Sequence, residues 1–120
     1  MTDLLSKLLS ESAAKYPDQT AVEFQERSIS YRELDELSNQ LAASLRASGV
    51  QRGDRVGIYI NKTIEAVAAI FATLKADATY VPLDPWAPVG RLNFIIKNCG
   101  IKTLLSATNK MMGLNQMASD

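Results

Sequence analysis

Residues 56–60, VGIYI, are a nearly continuous apolar run rich in β-branched side chains. Such a run suits a strand covered on both faces, and strands of that kind belong to parallel sheets. The sequence that follows keeps the same logic. Thr63 can cap a helix whose inward positions are Ile64, Val67, Ile70, Phe71 and Leu74. Residues 79–82 read as a short second strand, limited by Pro82. Pro85 and Pro88 lead into a helix with the stripe Val89, Leu92, Ile95, Ile96 and Cys99, closed by Gly100. Residues 101–106 read as a third strand. The order from Arg55 to Ser106 is therefore β-α-β-α-β, and right-handed crossovers of this kind build a parallel sheet covered by helices.

Upstream, Asp3 can cap a first helix in which Leu5, Leu8, Leu9, Ala13 and Tyr16 recur at helical spacing, with Pro17 as its stop. Residues 20–24 and 27–30 are strand-like and separated by Gln25 and Glu26, so a hairpin is expected, although the turn pair is not of the Asn-Gly type. Ser30 and Glu33, in SYRE, form a capping box, and Ile29 and Leu34 sit where a hydrophobic staple places them. Leu34, Leu37, Leu41 and Leu45 make one stripe, and Gly49 supplies a left-handed stop. The fold class is α/β: an N-terminal helix and hairpin, then a β-α-β-α-β unit. Residues 109–120 have no strong period and read as a poorly defined tail after a unit spanning 1–108.

Composition removes several function classes. Thirteen basic and thirteen acidic residues cancel, so no charge excess points to nucleic acid or an anionic membrane. No apolar run approaches a membrane span, and the N-terminus, with an acid early and a lysine inside its apolar stripe, makes a poor signal peptide. A single cysteine excludes an internal disulfide framework, and the chain reads as cytoplasmic. With no histidine, no Ser-His-Asp or Cys-His arrangement and no zinc site of the usual Cys/His type can form within it.

Few residues are candidates for chemistry. Gly49, Gly53 and Gly57 are spaced by four, but neither G-x-x-x-x-G-K-[ST] nor G-x-G-x-x-G is present, and each has a structural use as cap, turn or packing site. Asp54, Glu65, Asp77 and Asp84 are scattered, and nothing in their spacing makes two carboxylates converge. Cys99 lies on an apolar stripe and reads as a small buried hydrophobe. Trp86 could stack on a ligand or partner, but covering a sheet edge is the commoner use of such a ring. Asn61 and Lys62 follow the first parallel strand, on the side where α/β sheets bind ligands. From residues alone the reading ends at an α/β domain with a short parallel sheet.

A resemblance extends it. LKADATYVPLDP, residues 74–85, resembles the LKAG-x-AYVPLDP motif of the adenylate-forming enzymes. SYREL at 30–34 is similar to that superfamily's L-[ST]-Y-x-E-L element, GVQRGDRVGIYI at 49–60 to its turn into the first buried strand, and RLNFIIKNCGIKTLLS at 91–106 to the segment after its proline-rich turn. The likeness covers roughly residues 4–108, with the motifs in the family's order. VPLDP resembles the amino-acid-activating members, which include the adenylation domains of nonribosomal peptide synthetases; acyl-CoA synthetases are the alternative branch.

The resemblance implies activation of a carboxylate with ATP and Mg²⁺ to an acyl-adenylate, then transfer to coenzyme A or a carrier-protein phosphopantetheine. Such chemistry needs a phosphate cradle and cationic stabilisation of developing charge. In the family those groups lie downstream of the matched region, so no residue here inherits a catalytic, cofactor-binding or metal-binding role. The segment is expected to be inactive alone and to bind no cofactor by itself. Its expected partners are a separately encoded remainder of the enzyme or a carrier protein, with no nucleic acid. Two positions depart from the family pattern: Asp77 stands where a glycine is usual, at a helix end wanting a left-handed residue, and Gly90 stands where an acid usually precedes Arg-Leu.

Overall fold

The computed structural model describes residues 4–60 and 63–106. The expected cap at Asp3, the pair Asn61 and Lys62, the unit boundary at 108 and the tail lie outside the described residues. Among the described residues nine elements follow in order: α1 (Leu4–Lys15), β1 (Thr20–Phe24), β2 (Arg27–Ser30), α2 (Tyr31–Ala47), β3 (Arg55–Tyr59), α3 (Ile64–Lys75), β4 (Thr79–Pro82), α4 (Val89–Asn98) and β5 (Thr103–Ser106). β1 and β2 form the antiparallel hairpin, with Gln25 at the turn in a left-handed conformation (φ 58°). The second sheet is parallel and ordered β4-β3-β5.

The VGIYI run is thus the central strand, hydrogen-bonded on both edges. Val56 and Ile58 enter a core with Ala42 and Leu45 of α2 and Ala69 and Ala72 of α3. On the opposite face Tyr59 packs with Leu83, Leu92 and Ile101 under α4. Gly57 points into that second core, where an added Cβ would lie 2.5 Å from Leu104 Cδ2 and 3.0 Å from Leu83 Cδ1. A third core, built on Leu9, Leu34 and Ala68, binds α1 and the hairpin to α2 and α3.

The helix ends match their sequence signals closely. Ser30 Oγ accepts the Glu33 N–H at 3.1 Å, and Glu33 Oε1 accepts the Ser30 N–H at 2.9 Å, completing the capping box. Thr63 Oγ1 accepts the Ala66 N–H at the start of α3. At the end of α3 the Ala78 N–H reaches the Thr73 carbonyl and the Asp77 N–H reaches the Leu74 carbonyl, both at 3.0 Å. This is the Schellman pattern, and it places Asp77 at φ 60°. A side chain at that φ crowds its own backbone, less for aspartate than for most residues. Asp77→Gly is therefore expected to raise stability by about 0.5–1 kcal/mol, read as a higher urea midpoint at unchanged slope. A lower midpoint would show that the aspartate side chain contributes more than its backbone strain costs.

Three expected stripes are corrected. In α1 the buried residues are Ser6 and Leu9, while Leu5, Leu8 and Tyr16 are exposed. Leu9 is buried against α2 and α3. In α3 the buried line is Ile64, Ala68, Ala69, Ala72 and Thr73, and the larger Val67, Ile70, Phe71 and Leu74 are half-buried. α3 is wedged between the sheet and α2, and small side chains let it approach both; the large ones are displaced to the flanks. In α4 Val89 is 55 % exposed although Leu92 is fully buried.

Gly90, in that first turn, has open space where a Cβ would be. α4 also begins at Pro88 without a side-chain cap and has no acid in its first turn. Gly90→Glu should stabilise the protein by about 1 kcal/mol, through helix propensity and the helix dipole. Thermal melting would reveal it, and an unchanged Tm would mean that α4 is held by tertiary contacts alone.

Candidate functional site

In an open parallel sheet the ligand side lies beyond the carboxyl ends of the strands. Here that edge is formed by Ile60, Ser106 and the 82–86 turn, and two recesses open on it. The smaller, about 290 Å³, lies between α2, α3 and the ends of β3 and β5; Leu41, Ile60, Ala68, Ala69 and Leu105 line it, with Glu65 among the lining residues. The larger, about 650 Å³, lies between the hairpin and the turn after β4, lined by Phe24, Ile60, Pro82, Leu83, Asp84, Pro85 and Trp86.

The four scattered acids are not brought together. Asp54 Oδ2 accepts the Gln51 N–H at 2.8 Å and its carbonyl accepts the Thr79 N–H, so it fastens the turn that enters β3. Asp77 ends α3, and its carbonyl accepts the Gly53 N–H at 2.9 Å. Both serve the amino edge. Glu65 pairs with Arg27 of β2 at 2.7 Å and ties the hairpin to α3. Asp84 Oδ1 accepts the Trp86 N–H at 2.9 Å and shapes the turn. Cys99 is half-buried against the core under α4, and its carbonyl accepts from the Arg55 guanidinium at 2.7 Å. Trp86 departs from the expected use as an edge cover: it is 79 % exposed.

Each recess carries a carboxylate, Glu65 or Asp84, and neither is lined by a described cation. The donated hydrogen bond from Arg27 holds the Glu65 carboxyl below its usual range, and Glu65 in turn raises Arg27. The described residues thus do not fit the triphosphate of ATP, and no chemical step is derived through it.

Glu33 is also lowered, chiefly by the Ser30 backbone N–H that it accepts. A carboxyl depressed in the folded state contributes stability above its unfolded pKa, and that contribution is lost as pH falls through the folded value. Stability should accordingly fall below about pH 4.3, the ordinary glutamate value. Glu33→Gln keeps an acceptor for the Ser30 N–H and should flatten part of this acid limb. Urea midpoints across a pH series would test it, and an identical acid limb in the variant would assign the effect elsewhere.

One polar cluster had no local sequence signal. The Lys75 ammonium, on a side chain only 9 % exposed, donates to Asp35 Oδ1 at 2.6 Å, Ser38 Oγ at 2.7 Å and Asn39 Oδ1 at 2.8 Å. Arg46 of α2 donates back to the Lys75 carbonyl. Both ties to α2 therefore meet at Lys75, the last residue of α3. Forty residues separate Asp35 from Lys75, so only an expectation that α2 packs on α3 could have suggested the pair.

The layout is a helix and hairpin beside a short three-stranded parallel sheet, an α/β arrangement. Comparison with known proteins gives the class: a family described as AMP-binding enzyme matches residues 9–119, and the chain belongs to that family. Zwittermicin A synthase ZmaJ of Bacillus cereus is 43 % identical over 106 residues, which are 88 % of this chain and 20 % of ZmaJ. The N-terminal subdomain of Klebsiella oxytoca NpsA, solved with anthranilyl-AMSN, superposes with a TM-score of 0.79 at 29 % identity, covering 88 % of this chain and 28 % of that one. The nonribosomal peptide synthetase FmoA3, solved with AMPPNP, gives a TM-score of 0.85 at 30 % identity, over 88 % of this chain and 11 % of FmoA3. The chain corresponds to the N-terminal part of an adenylation domain and spans about a fifth of ZmaJ.

Proposed function

We propose that the chain is the opening section of an amino-acid-activating adenylation domain and catalyses no adenylation alone. The observation supporting this is a mismatch within one molecule. The motifs at 30–34, 49–60, 74–85 and 91–106 fall on the described elements, yet the described residues lining the two recesses at the carboxyl edge offer carboxylates and apolar side chains and no cation for a phosphate. ATP and Mg²⁺, with a thiol acceptor, belong on this reading to the complete domain. The role of residues 4–106 is then mechanical: a central strand and two latched helices form a rigid floor for loops supplied by the remainder. Asp84 within VPLDP favours an amino acid over a fatty acid as the carboxylate activated. The test is ATP–pyrophosphate exchange by the purified 120-residue chain with panels of amino and fatty acids. No exchange above background is expected, and robust exchange would sink the proposal.

A non-catalytic interaction subunit is the second reading. It is favoured by apolar side chains exposed in two places, Leu4, Leu5 and Leu8 on α1 and Val89 and Phe94 on α4. Co-purification and light scattering address it, and a monodisperse monomer that captures no remainder of an adenylation domain would count against it.

A further inference from the structure

The larger recess has a chemistry that the scaffold role does not use. Two aromatic residues, Phe24 from the hairpin and Trp86 from the turn, line it together with the Asp84 carboxylate, and the rest of its described lining is apolar. The turn that presents Asp84 and Trp86 is fixed. Asp84 Oδ1 accepts the Trp86 N–H at 2.9 Å, the Asp84 carbonyl accepts the Ala87 N–H at 3.1 Å, and the Tyr59 hydroxyl donates to the Pro85 carbonyl at 3.3 Å, anchoring the turn to β3. The exposed indole is therefore held on a well-tied backbone, beside a carboxylate with one oxygen engaged by that same turn. Aromatic faces attract a cation through the ring quadrupole, tryptophan most strongly. A carboxylate at the same recess adds charge attraction, and apolar walls favour a ligand with a hydrocarbon body. The volume, about 650 Å³, suits a small molecule.

We propose that this recess binds a small organic ammonium: a positively charged nitrogen on an aromatic or aliphatic body, with the cation at the Trp86 face and Asp84 and the body against Phe24, Ile60 and Leu83. The inference stands apart from the adenylation reading, since it concerns groups carried entirely by this chain.

Trp86 is the chain's only tryptophan, so its emission reports on the recess directly. The 120-residue chain would be titrated with phenethylammonium chloride at constant ionic strength, with 2-phenylethanol as the uncharged isostere. A saturable change in Trp86 emission is expected for the ammonium, with the alcohol binding about tenfold more weakly. Asp84→Asn retains an oxygen for the Trp86 N–H, so the turn persists while the charge is lost. Affinity for the ammonium should then fall severalfold, towards but not to that of the alcohol, since the Trp86 face still attracts the cation. Phe24→Ala should weaken both ligands. Amide shifts of Trp86 and Ala87, followed by NMR in the same titrations, give a second readout should the indole emission be insensitive. The proposal is overturned if neither readout saturates, if ammonium and alcohol bind equally, or if Asp84→Asn leaves their ratio unchanged.

Discussion

Gly57→Val should be the most damaging single substitution in this chain. The glycine lies at the centre of β3, facing the core beneath α4. A Cβ there would meet Leu104 Cδ2 at 2.5 Å, Leu83 Cδ1 at 3.0 Å and Ile101 Cγ2 at 3.3 Å. Those neighbours come from two segments, the turn after β4 and the approach to and start of β5, and Leu83 and Ile101 are themselves buried. The nearest atom is a leucine side-chain end, and Leu104 is half-buried, so alanine is met partly by Leu104 turning aside, while valine also presses on the buried Leu83 and Ile101. Overpacking of this kind costs about 1–3 kcal/mol for an added carbon or two. Gly57→Ala should fall in that range, and valine, whose two further methyls add to the clash, should exceed it or abolish folding at 37 °C. Guanidinium unfolding of the alanine variant gives the measurable number. A loss under about 0.5 kcal/mol, the scale of an ordinary surface change, would mean that the leucines repack freely and that the second core is looser than its geometry indicates.

The second large effect is expected at Lys75. Its ammonium is nearly enclosed, with Asp35, Ser38 and Asn39 as acceptors. Ser38 is fully buried and also donates to the Asp35 carbonyl, so the cluster is one connected network between α2 and α3. Lys75→Met keeps the hydrocarbon stem and removes only the charge and its donors. Asp35 then remains partly buried without its counter-ion. Losing one partner of a fully buried pair costs about 3–5 kcal/mol; Asp35 retains some access to water, so about 2 kcal/mol is expected here. The double variant with Asp35→Asn should recover part of that loss, with a coupling energy of about 1 kcal/mol or more. Strict additivity in the cycle would show that the lysine acts through packing of its stem. Because this latch holds the helix pair that backs the sheet, its loss should also lower the affinity of the chain for any remainder of the domain.

The sequence was most legible where the signal is local. The capping box at Ser30 and Glu33 is written in four residues, and it formed as read. The left-handed position at Asp77 was implied by the family resemblance, which has a glycine there, and the backbone adopts it. The buried central strand was legible for a related reason: an apolar run without alternation has few other places to be. Burial along helices was less legible. Periodicity marks which residues share a face, but not how much of that face a neighbour covers. In α3 the side chains that looked most core-like, Ile70, Phe71 and Leu74, gave way to alanines because two surfaces press on the helix at once. In α1 Leu5 and Leu8 stayed exposed while Leu9 was buried against α2 and α3.

The candidate sites divide along the same line. Nothing in the spacing of Asp54, Glu65, Asp77 and Asp84 asked for one acid cluster, and the fold puts Asp54 and Asp77 at the amino edge and Glu65 and Asp84 at the carboxyl edge. The Lys75 latch and the pairing of Phe24 with Trp86 around one recess were invisible, since each joins segments distant in sequence. The sequence by itself determined the element order, the helix ends, the parallel sheet and the family likeness, because these depend on short-range backbone chemistry and on ordered motifs. Only the tertiary structure decided which apolar side chains are covered and which charges meet. Those depend on how closely α2 and α3 approach the sheet and each other, a distance set by the small side chains of Ser38, Ala42, Ala69 and Ala72 acting together across the contact.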